Sequence, residues 1–287
     1  PEKFRTWLRH KYYQEYEDAP SRQAMENAIA TLDAKAEFEG GVYPVYRRVA
    51  GHEDGDEQHI YVDLCDERRN VVEITRDGWE IIQDPPVDFY RSETMQHFPE
   101  PRKGGDLRIL RKYVNTDENG FALLLGFLIQ AFNPRHPYPL LGIFGEQGSG
   151  KSTLMRMIHQ LVDPSVMETR TFPRSMQDLV IAAEHSWLLA FDNSSELSRE
   201  QSDMLCRMST GSSFATRTNY SDRGEEVFKF SRPVIINGIE QVITEPDLAD
   251  RSLFLNLQRL GKDERKTERD LWEGYREDRP LILGALF

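Results

Sequence analysis

The stretch Gly145-Glu146-Gln147-Gly148-Ser149-Gly150-Lys151-Ser152 restricts the fold more than any other part of the chain. It fits G-x-x-x-x-G-K-[ST], a loop that cradles phosphate groups. The glycines let the backbone turn tightly and aim its N–H groups at phosphate oxygens. Lys151 brings a positive charge to the β- and γ-phosphates of a nucleotide, and the Ser152 hydroxyl can ligate Mg²⁺. The flanks supply the required context. Leu140-Leu141-Gly142-Ile143-Phe144 is a short apolar run of the kind a buried strand needs. Leu154, Met157, Ile158 and Leu161 then fall on one face of a helix that Asp163-Pro164 ends. The helix N-terminus adds its dipole to the same anion site. The nucleotide-binding set is Gly145, Glu146, Gln147, Gly148, Ser149, Gly150, Lys151, Ser152 and Thr153, for ATP with Mg²⁺. A glycine-rich turn in another α/β fold is the competing reading.

With 287 residues the chain can form one large domain or two smaller ones. The longest apolar run, Phe121 to Phe132, is shorter than the ~18 residues of a membrane span and contains Gln130, so it reads as a deeply buried helix. No signal-peptide pattern is read. Pro1 in place of Met, and an end within an apolar helical turn, suggest a piece of a longer protein. Cys65 and Cys206 stand apart and form no C-x-x-C pair, so they read as core thiols, and the seven histidines show no metal-ligand spacing. A net charge of −12 argues against a protein that coats nucleic acid over its whole surface, but leaves room for a local basic element.

Residues 3–38 read as helix, broken at Gly40-Gly41. Four β-prone runs follow, at 42–46, 60–64, 71–74 and 79–82, with turn-rich links at 51–58, 66–70 and 77–78. Glu53, Asp54, Asp56 and Glu57 read as a solvated loop rather than a metal site. Proline-rich stretches at 85–86 and 99–105 read as a linker. Two helical patterns then precede the nucleotide strand.

Downstream, Ser186 to Asn193 is an apolar strand ending in an acid. Asp192 is placed to hold Mg²⁺ beside a phosphate loop, although a turn Asp after a buried strand would look the same. Ser198-Arg199-Glu200-Gln201 is a capping box that opens a helix ending near Gly211. Two β-prone runs, 214–220 and 226–230, flank a turn and form a hairpin with Arg217, Tyr220, Arg223 and Lys229. Basic residues beside aromatics suit single-stranded nucleic acid, whereas Asp222, Glu225 and Glu226 suit an ordinary charged surface hairpin. Pro233 to Gly238 is a third buried strand ending in Asn237, and Arg251 follows a short helical turn.

Three strands tipped by a phosphate loop, an Asp and an Asn, followed by an Arg, resemble an AAA+ ATPase. The hairpin just before the Asn strand resembles superfamily 3 helicases of the poxvirus and phage primase–helicase type. The resemblance covers residues 105–287 and is looser over 1–104. It implies an α/β fold: an AAA+ core over 105–287, a parallel sheet flanked by helices, with an N-terminal mixed helical and β domain over 1–104. It implies that Asn237 positions the attacking water and that Arg251 is an arginine finger acting on a neighbour's ATP. It further implies a ring, as a hexamer, that pulls single-stranded DNA with pore hairpins, in the cytoplasm of a bacterial host. A primase or other replication protein would be a partner. Many AAA+ proteins carry Glu after the magnesium Asp. Here Asn193 stands there and cannot take a proton, so Glu196 becomes the candidate base. A remodelling ATPase that does not unwind, and a nucleotide switch with little turnover, remain as alternatives.

Overall fold

The computed structural model describes residues 2–55, 57–193, 197–211, 213–217, 225–229, 231–238, 242–259, 261 and 267–287. The chain forms two compact units, residues 1–44 and 45–287. The first holds two helices, α1 (Glu2–Tyr16) and α2 (Arg22–Glu39), where the sequence suggested one. The break lies at Pro20 and Ser21. A residue preceding proline is pushed out of helical conformation, and the Ser21 hydroxyl accepts from Ala24 N–H at 3.2 Å to cap α2.

The second unit opens with β1 (Val45–Tyr46), β2 (Val49–Asp54), β3 (Glu57–Asp63), β4 (Val71–Thr75), β5 (Gly78–Ile82) and β6 (Asp88–Phe89). The order β2-β3-β4-β5 is an antiparallel meander, while β1 pairs with β6. Within the stretch 51–58, expected to be a turn-rich link, residues 51–54 and 57–58 instead belong to the paired strands of the β2–β3 hairpin, with Asp54 opposite Glu57. Cross-strand pairing overrides the turn-like composition there. Of the expected 42–46 strand only β1 forms. Side chains alternate between two faces. Val49, Val62 and Val72 enter the main core, and Ala50, Tyr61 and Val71 a small separate cluster. Glu53 and Glu57 pair with Arg135 and Arg76, at 2.6 and 3.2 Å.

A 3-10 helix (Leu107–Lys112), α3 (Glu118–Ala131), β7 (Leu140–Phe144), α4 (Lys151–Val162), α5 (Met176–His185) and β8 (Leu189–Phe191) come next. Then come α6 (Arg199–Thr210), β9 (Ser213–Arg217), β10 (Glu225–Lys229), β11 (Val234–Gly238), α7 (Pro246–Ala249), β12 (Ser252–Asn256) and α8 (Glu268–Leu286). The capping box at Ser198 forms, and Gly211 closes α6 in the left-handed conformation. Strands β12-β7-β11-β8 make a parallel sheet in that order, so the fold is α/β with helices on both faces. Burial on both sides explains why these strands read as unbroken apolar runs. Leu141, Ile143, Ala190, Ile235 and Leu255 face one core, with α3 and α4. Leu140, Phe144, Leu189, Phe191, Val234 and Ile236 face the other, with α5 and α6. The expected boundary at 104/105 falls inside this unit, where Val62 and Val72 share a core with Leu141 and Ile235.

The expectation that 121–132 is deeply buried needs correcting. Phe121, Leu124, Phe127 and Leu128 are buried, but Leu123 and Ile129 are 37% and 56% exposed. An edge strand, β12, lies beneath α3 and covers only one of its faces.

Candidate nucleotide site

The phosphate loop leaves β7 at Gly145 and ends where α4 starts at Lys151. Gly145, Gly148 and Gly150 have φ of 151°, 82° and 87°. That region is costly for residues with a Cβ. A Cβ on Gly145 would also lie 2.7 Å from the Leu257 carbonyl oxygen. The lysine is folded over the loop, its Nζ donating to the Gly145 and Glu146 carbonyls at 2.8 and 2.9 Å.

Three segments distant in sequence meet in front of this loop. Ser152 Oγ donates to Asp192 Oδ1 at 3.0 Å. Asn237 is 1% exposed. Its Nδ2 donates to Ser152 Oγ at 3.4 Å, and its Oδ1 accepts from the Asn193 backbone N–H at 2.6 Å. Asn193 itself has φ +57°, a left-handed turn that asparagine tolerates. The arrangement follows from sheet order. β11 lies between β7 and β8, so its last side chains sit between the loop and the Asp. Ligands of open α/β sheets bind at the carboxyl ends of strands, where strand order reverses. Ser152 and Asp192 offer hard oxygens, a set that suits a Mg²⁺ retaining several waters. Glu196 lies outside the described residues.

Beside the loop is a cavity of about 470 Å³ between the end of the 3-10 helix, Leu257 and the start of α8. Its size is within the ~300–1,000 Å³ of small-molecule sites. Val114, Leu257 and Leu271 give it apolar walls, and Tyr113 and Asn115 line it too. Burial and the Asp278 carboxylate, which accepts the Tyr113 hydroxyl at 2.7 Å, push that phenol well above its ordinary pKa. The Asn115 side chain donates to the Gln258 carbonyl at 2.7 Å, tying this wall to the end of β12. Motif reading missed these residues, which come from three separated segments with no local signature. It also missed Arg259, whose guanidinium lies 3.6 Å from Glu146 of the loop.

Arg251 stands at the opposite end of the sheet. Ser252 pairs with Leu140 and Asn256 with Phe144, so Arg251 precedes the start of β12 while the loop follows the end of β7. At ~3.3 Å per residue, six residues along the strand direction put the two roughly 20 Å apart. The arginine donates to the Asp247 carbonyl at 2.5 Å. The hairpin forms with Arg217 opposite Glu225 near its turn and Lys229 opposite Ser213 at its base. Tyr220 and Arg223 lie outside the described residues. Among the described residues, no helix is long and apolar enough to cross a membrane.

Residues 106–287 match the protein family described as "Actinomycete integrative conjugative element replication protein". No curated protein matches the chain. Among solved structures, the apo NrS-1 C terminal region is 11% identical, with a TM-score of 0.45 over 83% of this chain and 65% of that one. JCV helicase is 15% identical, with a TM-score of 0.40 over 62% of this chain and 52% of that one. The chain thus spans less than two thirds of the length of these solved chains.

Proposed function

The chain belongs to the actinomycete integrative conjugative element replication protein family, and we propose that it is the ATP-hydrolysing motor of such an element's replication, a ring that pulls single-stranded DNA. The observation that carries this reading is the convergence of Ser152, Asp192 and Asn237 in front of the phosphate loop. Lys151 and the loop N–H groups hold the β- and γ-phosphates, and the cavity lined by Val114, Leu257 and Leu271 takes the base. Ser152 and Asp192 would hold Mg²⁺, which neutralises charge on the phosphates when bound. Asn237, fixed by its two hydrogen bonds, orients the attacking water.

Arg251 cannot serve its own loop from the far end of the sheet, which favours action on a neighbouring subunit's ATP. A closed ring, as a hexamer, delivers one such arginine to every site. Positive charge supplied in this way is worth ~10³–10⁵ in rate. The β9–β10 hairpin, with Arg217, Tyr220, Arg223 and Lys229, would grip the DNA strand. A primase or another replication protein of the element would be the partner. Arg259 is a second cation beside the loop, and phosphate would compete with Glu146 for it.

A second reading, an ATPase that remodels a partner without unwinding, is favoured by Asn193, which leaves no acid next to Asp192. The test is steady-state ATP hydrolysis by the wild-type chain, Lys151→Ala and Asp192→Ala. Both substitutions are expected to abolish turnover, and rates equal to wild type would remove the site assignment.

A further inference from the structure

Helix α1 carries its large aromatic side chains on its surface. Phe4, Trp7, Tyr12, Tyr13 and Tyr16 are 36–60% exposed. Of its described side chains none is buried, and only Arg5 and Leu8 are half-buried. An isolated helix of this length is marginal in water, and five exposed aromatic rings call for a binding partner.

The charge on α1 says what kind. It carries Lys3, Arg5, Arg9 and Lys11 against Glu2 and Glu15, in a chain whose net charge is −12. A local basic helix in an acidic protein is complementary to a polyanion. At 100° per residue, Phe4, Trp7 and Lys11 share one side of the helix, and Arg5, Arg9, Tyr12 and Tyr16 share another. The rings are already paired. Phe4 and Trp7 stack at 5.6 Å with planes 22° apart, and Tyr12 and Tyr16 lie 4.7 Å apart at 35°. A membrane-surface helix would separate its apolar and basic residues onto opposite faces. Here they alternate around the axis, which is how single-strand binders place stacking rings beside phosphate contacts.

We propose that α1 is a stacking platform for single-stranded nucleic acid, with Phe4, Trp7 and the Tyr12–Tyr16 pair taking bases and Arg5, Arg9 and Lys11 holding phosphates. This contact is separate from the β9–β10 hairpin and needs no hydrolysis. The full-length chain is titrated, without nucleotide, against a fluorescein-labelled oligothymidylate of about 20 nucleotides, a length that exceeds the site sizes of single-strand binders. Trp7→Ala is expected to weaken binding about tenfold, the effect of one lost stack, while Trp7→Phe retains affinity. Arg5→Ala with Arg9→Ala is expected to flatten the salt dependence by about 1.4 in slope, from two lost phosphate contacts on a single strand. Trp7 and Arg9 are exposed, Arg5 is half-buried and none of the three is in the core, and alanine favours helix, so folding is preserved. Unchanged affinity and slope in both variants would overturn the proposal. So would a change in oligomer size with affinity unchanged, which would make α1 a self-contact. Arg223→Ala is run in parallel. Loss of affinity there alone would overturn the α1 platform and leave the hairpin assignment standing; loss in the α1 variants alone would do the reverse.

Discussion

The far end of the phosphate-loop helix is held by a buried ion pair, and its removal has a calculable effect. Asp163 is the C-cap of α4. Arg48, fully buried just before β2, donates Nε to Asp163 Oδ1 at 2.9 Å. Its other nitrogens donate to the carbonyls of Asp63, Gln96 and Pro164 at 2.9–3.1 Å. The guanidinium lies 4.7 Å from the Phe98 ring centroid. The second Asp163 oxygen accepts from the N–H groups of Trp187 and Leu188, at 2.7 and 3.2 Å. One pair therefore joins the antiparallel meander, the end of α4 and the approach to β8. Arg48→Ala orphans a buried carboxylate and strips a partner from three carbonyls. Breaking such a pair costs about 3–5 kcal/mol, a large share of a typical total of ~5–15 kcal/mol. Arg48→Met with Asp163→Asn leaves no charge unpaired. Its cost should fall short of the two single costs added together by about 2–3 kcal/mol. Urea unfolding followed by tryptophan fluorescence measures this, with Trp187 at the site as reporter. A cost below about 1 kcal/mol for Arg48→Ala, or single costs that add within ~0.5 kcal/mol, would mean that this pair does not hold the three elements together.

Three further outcomes are expected. Arg251→Ala should bind ATP without hydrolysing it, and mixing it with Lys151→Ala should restore part of the activity; no restoration at any ratio would count against action between subunits. Gly145→Ala places a Cβ 2.7 Å from a backbone oxygen at φ +151°, so fluorescent-nucleotide titration should show a loss of affinity of about 5- to 150-fold, from strain of ~1–3 kcal/mol; normal binding would contradict the loop geometry. Burial holds the His159 imidazole below its ordinary pKa, so the unfolded chain alone takes up this proton as pH drops below ~6.5. Stability from this group is complete above that pH and declines toward the lowered folded value, so His159→Leu should flatten the acid side of a urea-stability profile, and an unchanged profile would reject the assignment.

The strand–loop–helix unit at 140–162 was legible because its pattern is local: eight consecutive loop residues, an apolar strand before and an amphipathic helix after. Asp192 and Asn237 were legible as polar ends of buried strands, and sheet order then brought them to Ser152. Other parts had no local signal. The run Ser252–Asn256 is short, and it becomes a strand by pairing with β7. The wall of the cavity beside the loop joins Tyr113, Leu257 and Leu271, which only packing brings together. The α3 run looked buried all round because composition cannot count the faces a neighbour will cover. The 51–58 segment looked like a turn because glycines and acids hid a two-stranded register.

The most direct test of a DNA-translocating ATPase is its steady-state hydrolysis rate with and without single-stranded DNA, with Lys151→Ala as the blank. The expected result is turnover that DNA stimulates and that vanishes in the blank. Turnover in wild type that is indifferent to DNA would contradict it and leave the partner-remodelling reading.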